Sequence, residues 1–137
     1  LTGIIVVTHS NMADGIKDAA EMIVGEQKGF FSVGYYVGES LEDLYKKIED
    51  IILLNTLYEN WIIFIDMFGD TPSNVASVIC TKYNVTIVTG VNLGMLMEAI
   101  VSRNSSKGDN LIDSLLEVGK SSIRYINKDM ILNNIKK

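Results

Sequence analysis

The sequence contains one histidine, His9, and a lone carboxylate, Asp66, that closes the apolar run Trp61-Ile62-Ile63-Phe64-Ile65. An imidazole is a nucleophile near neutral pH only when one ring nitrogen is deprotonated and aimed, and a carboxylate on the other nitrogen fixes that tautomer. Paired with His9, Asp66 would be this orienter, and it would offset the positive charge left on the ring once the nucleophilic nitrogen bonds to phosphorus. Taken alone, each has a plainer reading, His9 as a loop hydrogen-bond donor and Asp66 as a capping residue. Thr8 and Ser10 flank the histidine, while Thr71, Ser73 and Asn74 follow the aspartate; these five are the candidate lining of a phosphate site, with hydroxyl donors from Thr71 and Ser73. The set has no Arg, no Lys and no metal-ligand spacing. It favours a phosphoryl group held covalently over a bound nucleotide, and neither a metal nor a cofactor is expected.

Two such residues 57 positions apart meet only if the fold brings their loops together. Ile4-Ile5-Val6-Val7-Thr8 is β-branched without alternation, as expected of a strand covered on both faces in a parallel sheet. Met12, Ile16, Ala20 and Ile23 then recur at helical spacing, with Ser10 or Asn11 as N-cap and Gly25 as the stop. Strands follow over Phe30–Val37, Trp61–Asp66 and Val85–Thr89, each succeeded by a helical pattern. Ser40 with Asp43 resembles a capping box ahead of Leu41, Leu44, Ile48, Ile51 and Ile52. Thr71 reads as an N-cap followed by Pro72 at the first helical position. A helix around Leu111 to Val118 and a short run Ser122-Ile123-Arg124-Tyr125-Ile126 complete the expected core, and 128–137 is a possible tail or linker remnant.

Successive strand-to-helix units imply right-handed crossovers, a parallel sheet flanked by helices, and polar loops at the strands' C-terminal ends. In a flavodoxin-like three-layer α/β sandwich of order 2-1-3-4, the chain reverses direction across the sheet between strands 1 and 3, and the loops after Thr8 and Ile65 face each other. His9 then stands beside Asp66. The helices starting after Ser10-Asn11 and after Thr71-Pro72 would aim backbone N–H groups at the same crevice, a geometry that receives anions without lysine.

Composition narrows the function further. At 137 residues with 47% hydrophobic and 21% charged residues, one domain spanning 1–137 is expected. Twelve Lys and Arg against seventeen Asp and Glu give a net charge of −5, the wrong sign for a nucleic-acid binder. No apolar run reaches the ~18 residues of a membrane helix and no leader is visible, so a cytoplasmic protein without membrane insertion is expected. Gly119-Lys120-Ser121 lacks the first glycine of a phosphate loop and precedes a strand pattern instead of following one. Cys80, the only cysteine, reads as a small buried filler, and Arg103–Asp109 as a polar mobile loop. Met67 and Phe68 lie in a surface loop as a candidate partner-docking patch.

Three collinear stretches carry a resemblance: Val6-Val7-Thr8-His9-Ser10, Phe64-Ile65-Asp66-Met67-Phe68-Gly69-Asp70-Thr71-Pro72-Ser73-Asn74 and Val88-Thr89-Gly90-Val91-Asn92-Leu93-Gly94-Met95-Leu96. Through them the chain resembles the mannose-class EIIA proteins of the bacterial phosphoenolpyruvate-dependent sugar phosphotransferase system. The resemblance implies that His9 accepts a phosphoryl group from the histidine of HPr and passes it to EIIB, which phosphorylates sugar during transport through the membrane subunits EIIC and EIID. It also implies that Asp66 orients His9, that Thr71 lies near the phosphate, and that the protein is a homodimer. In that dimer an antiparallel edge strand, here about Ser122 to Asn127, would be exchanged between subunits. The family usually has a second glycine at the position of Asp70 and an aromatic residue, often Trp, at that of Phe68. Asp70 is expected to face solvent.

Other classes remain open on the residues alone. The phosphohistidine subunit of dihydroxyacetone kinase shares this fold and histidine. A receiver-like module would be phosphorylated on Asp66, but it wants an acidic pair after the first strand, where this chain has His9-Ser10-Asn11. Flavin binding at the same crevice has no specific residue in its favour.

Overall fold

Unbroken runs of Val and Ile need cover on both faces, and their neighbours supply it. A computed structural model describes residues 1–136. Its strands are β1 (Thr2–His9), β2 (Phe30–Tyr35), β3 (Asn60–Ile65) and β4 (Val85–Thr89). The helices are α1 (Met12–Val24), α2 (Leu41–Leu54), α3 (Thr71–Cys80), α4 (Leu93–Ser102), α5 (Gly108–Ser121) and α6 (Lys128–Lys136). The four strands form one parallel sheet of order β2-β1-β3-β4, as expected.

Because side chains alternate across a strand, the central pair serves two cores at once. Ile4 and Val6 of β1 and Ile62 and Phe64 of β3 pack with Ala13, Ala20, Leu96, Ala99, Leu111 and Leu115 from α1, α4 and α5. Ile5, Val7, Ile63 and Ile65 pack with Leu44, Ile48, Val75, Ala76 and Ile79 from α2 and α3. This two-sided burial removes any polar alternation from β1 and β3. The capping box before α2 is present in full: Asp43 N–H donates to Ser40 Oγ at 3.1 Å and Ser40 N–H to Asp43 Oδ2 at 2.9 Å. β2 stops at Tyr35, short of Val37, because Tyr36 N–H donates to Glu39 Oε1 at 2.8 Å and Glu39 N–H returns to Tyr36 O at 3.1 Å, closing a turn.

Three sequence expectations are corrected. Cys80 is exposed, not a buried filler, because it ends α3 on the solvent side. The run Ser122–Ile126 does not complete the core: it forms no strand, and Ile123, Tyr125 and Ile126 are exposed. The possible tail over 128–137 is not among them: it carries α6, and Lys137 lies outside the described residues. Arg103 is no member of a polar surface loop; it is buried, with its guanidinium donating to the carbonyls of Gly29 at 2.9 Å, Lys28 at 2.5 Å and Thr2 at 3.3 Å. A planar fork with five donors can serve three carbonyls at once, tying the end of α4 to the start of β1 and the turn before β2. Arg103→Leu leaves those acceptors without this donor and is expected to cost about 2–4 kcal/mol, read as a lower urea midpoint at unchanged slope.

Candidate active site

β1 and β3 are neighbours, and their C-terminal ends deliver His9 and Asp66 to one point on the sheet edge. Asp66 Oδ2 accepts two hydrogen bonds from His9, from its backbone N–H at 2.9 Å and from ring Nδ1 at 2.7 Å. Asp66 Oδ1 accepts the Met67 N–H at 3.0 Å. Three donors thus lock the carboxylate, and the backbone bond fixes its position relative to the histidine whatever the ring does.

The other ring nitrogen is also occupied. Asp70 Oδ2 lies 2.9 Å from His9 Nε2, so Asp70, expected in solvent, is half-exposed yet turned onto the ring. Its placement follows from the start of α3: Asp70, not Thr71, is the N-cap, and its Oδ1 accepts the Thr71 N–H at 2.8 Å. With one oxygen on the helix start, the second reaches the imidazole. The usable signal in the sequence was Asp-Thr-Pro, since an N-cap carboxylate ahead of a proline-started helix that opens on the crevice points into it. Carboxylates on both nitrogens suit the doubly protonated ring, in which each nitrogen donates.

The remaining candidates are placed as follows. Thr8 is fully buried and caps α1 from two residues before the loop, its Oγ1 accepting the Ala13 N–H at 2.8 Å; the expected caps Ser10 and Asn11 make no such side-chain bond. Ser10 takes a left-handed turn (φ 52°) and donates its N–H to Tyr35 O at 2.7 Å. With His9, Tyr35, Tyr36 and Val37 it lines an open recess of about 470 Å³ beside the ring. Thr71 lies in the first turn of α3, next to Asp70, and Ser73 is buried on the same helix. Asn74 is turned away, lining a separate groove between α2 and α3 with Leu41, Tyr45 and Val78. Met67 and Phe68 are exposed, the latter at 82%, on the loop between the two aspartates. Two neighbours escaped the sequence reading. Tyr35 meets the His9 ring edge-on with centroids 6.3 Å apart. Gly34 leaves room for the His9 loop, because a Cβ there would come within 2.3 Å of Ser10 O.

The charges around the ring set its titration. The Asp66 hydrogen bond raises the His9 pKa above its ordinary 6.5, burial works against it, and the charges of Asp66 and Asp70 add to the rise. Burial would raise Asp66, but the His9 backbone N–H, the imidazole and the Met67 N–H outweigh it and hold this carboxyl below its ordinary range. A raised histidine contributes stability that is fully present below the unfolded pKa and lost as pH rises through the folded one. Were Nε2 to act as a nucleophile, its reactivity would have the opposite sign, since it would have to lose its proton first. Phosphoryl acceptance is therefore expected to rise with pH through the elevated His9 pKa and then level off, checked by acceptance rates beside an NMR titration of the ring.

Fold and site together define a doubly wound α/β protein in which a histidine is held by an aspartate at the switch point of the sheet. A family profile described as the PTS system fructose IIA component, EIIA-man, matches residues 3–116, and the chain belongs to that family. The sorbose-specific EIIA component of Lacticaseibacillus casei is 30% identical over 131 residues, covering 95% of this chain and 94% of that one. The mannose-specific EIIAB component of Escherichia coli K12 is 27% identical over 125 residues; the match covers 90% of this chain but only 39% of that longer protein. A crystal structure of the phosphotransferase system component EIIA from Streptococcus agalactiae superposes with a TM-score of 0.84 at 29% identity, covering 91% of this chain and 97% of that one. No helix among the described residues is long and apolar enough to cross a membrane.

Proposed function

We propose that the chain is a phosphoryl carrier of a sugar phosphotransferase system, in which His9 Nε2 takes a phosphoryl group from phosphohistidine of HPr and passes it to EIIB. The observation that carries this reading is the Nδ1–Asp66 bond at 2.7 Å, which leaves Nε2 to attack once Asp70 has turned off it. In the transfer, the Nε2 lone pair forms the new N–P bond while the electron pair of the breaking P–N bond returns to the donor imidazole. The Nδ1 proton stays on the ring, and Asp66 balances its positive charge. Transfer between two imidazoles needs in-line positioning and charge stabilisation more than acid–base chemistry, which a site this sparse can supply.

Exposed Met67 and Phe68, on the loop between Asp66 and Asp70, are the proposed docking contacts for both partners. EIIC and EIID would be served only through EIIB. Homodimerisation by exchange of an antiparallel strand over Ser122–Asn127 is supported by two features: among the described residues β4 ends one side of the sheet with no further strand, and Ile123, Tyr125 and Ile126 stand exposed. The receiver-like alternative is disfavoured because both oxygens of Asp66 are held by N–H donors. The test is incubation with phosphoenolpyruvate, enzyme I and HPr, followed by intact mass and ³¹P NMR. Gain of one acid-labile phosphoryl group supports the reading; no gain, with enzyme I and HPr active on another acceptor, overturns it.

A further inference from the structure

We propose that Asp70 is a built-in competitor of the phosphoryl group, its carboxylate occupying at His9 Nε2 the place that phosphorus must take and being displaced when the ring is phosphorylated. This rests on the carrier reading above. A ring nitrogen donates its hydrogen and offers its lone pair along one direction, in the ring plane. Asp70 Oδ2 lies on Nε2 at 2.9 Å, so a phosphorus bonded to that nitrogen and the present Asp70 side chain exclude each other. Asp66 has no such conflict, because it holds the opposite nitrogen.

The structure also shows how the carboxylate can yield. Asp70 is about half-exposed, and among the described residues its only ion pair is with His9. Its Oδ1 bond to the Thr71 N–H tethers it to α3 while leaving Oδ2 free to turn outward. Gly69 before it has φ +88°, in the left-handed region that glycine tolerates. The groups facing the ring are Asp66 on Nδ1, Asp70 on Nε2 and the neutral edge contact of Tyr35.

Before transfer, the Nε2 proton leaves to water as Asp70 turns aside. The lone pair then attacks phosphorus, and the electron pair of the breaking bond stays with the donor imidazole. Afterwards a phosphoryl dianion stands close to the Asp70 carboxylate. Like charges at this separation disfavour the loaded form relative to the free one, so Asp70 opposes loading and favours passage to the next acceptor.

Asp70→Asn keeps an oxygen for the Thr71 N–H and removes the charge; Asp70→Gly removes both. With enzyme I, HPr and a buffered ratio of phosphoenolpyruvate to pyruvate, the loaded fraction of the full chain is read by intact mass, and the His9 titration by ring NMR. Both variants are expected to load with an equilibrium constant about tenfold more favourable than the unmodified protein, since one half-exposed charge is removed. Their His9 pKa should fall toward the ordinary value. A capping role alone would change thermal stability without moving either readout. Unmodified and variant chains that load equally, with the same His9 titration, overturn the competitor role and leave the carrier reading standing. Loading of no chain overturns both.

Discussion

Replacing His9 with alanine is expected to reduce phosphoryl uptake from phospho-HPr to the assay background while leaving the fold intact. His9 is the only histidine in the chain, so no other imidazole can substitute as acceptor. The ring is 39% exposed and its removal opens no core cavity. Asp66 loses one donor but keeps the backbone N–H groups of residue 9 and Met67, so a stability change within about 1 kcal/mol is expected. Intact mass after incubation with phosphoenolpyruvate, enzyme I and HPr reads the uptake, and thermal melting reads the fold. Phosphorylation of a well-folded alanine variant would place the acceptor on another residue and remove the mechanism argued here.

Asp66→Asn is expected to slow phosphoryl acceptance about 10²- to 10⁴-fold, although it changes a single atom. The aspartate serves three donors with two oxygens, and asparagine has only one acceptor oxygen. If that oxygen keeps the two His9 bonds, the amide NH₂ is forced against the Met67 N–H. If it turns to Met67 instead, the NH₂ faces Nδ1, which must then accept, and the ring's proton moves to Nε2, the nitrogen that has to attack. Either arrangement loses the negative charge that stabilises the positive ring after the N–P bond forms. The His9 pKa should fall, since the Asp66 hydrogen bond is the largest contribution to its rise. Ring ¹⁵N shifts report tautomer and pKa together, and rapid quench with HPr in excess reads the rate. An Asn variant that accepts phosphate at the unmodified rate would reduce Asp66 to a structural anchor of the β1 and β3 loops.

The two variants at the aspartates are expected to pull in opposite directions, because the carboxylates hold opposite nitrogens. Removing charge at residue 66 costs orientation, whereas removing it at residue 70 uncovers the nucleophile. That contrast separates a specific geometry from a general effect of acidic charge near the ring, which would move both variants the same way.

Much of this was legible in the residues. Uninterrupted β-branched runs followed by helical periods imply a parallel sheet, because only two-sided burial removes polar residues from a strand, and the strand order observed is the one expected. His9 and Asp66 could be paired on paper because both end apolar runs and because crossover handedness brings those ends together. The Ser40 to Asp43 capping box, a local motif, was readable from spacing alone. The chain's family was also legible from three short stretches in order.

What escaped were relations set by contacts across the chain. Arg103 sits in the most polar stretch of the sequence, yet is buried; its role depends on the carbonyls of residues about seventy-five to a hundred positions earlier, and composition carries no trace of them. Ser122–Ile126 has the make-up of a strand, but a strand forms only where it is laid along a sheet edge, and within one copy of the chain this segment pairs with neither β2 nor β4. Cys80 shows the same dependence on how a helix end is turned. Asp70 is the instructive case. Its side chain has two partners, one given by the local chemistry of a helix start and the other by the register of β1 against β3. The sequence by itself determined the sheet and the meeting of His9 with Asp66, because periodicity and strand ends are local. Only the tertiary structure decided what stands on the other side of that imidazole, because the direction of a side chain at a loop is set by the elements packed around it.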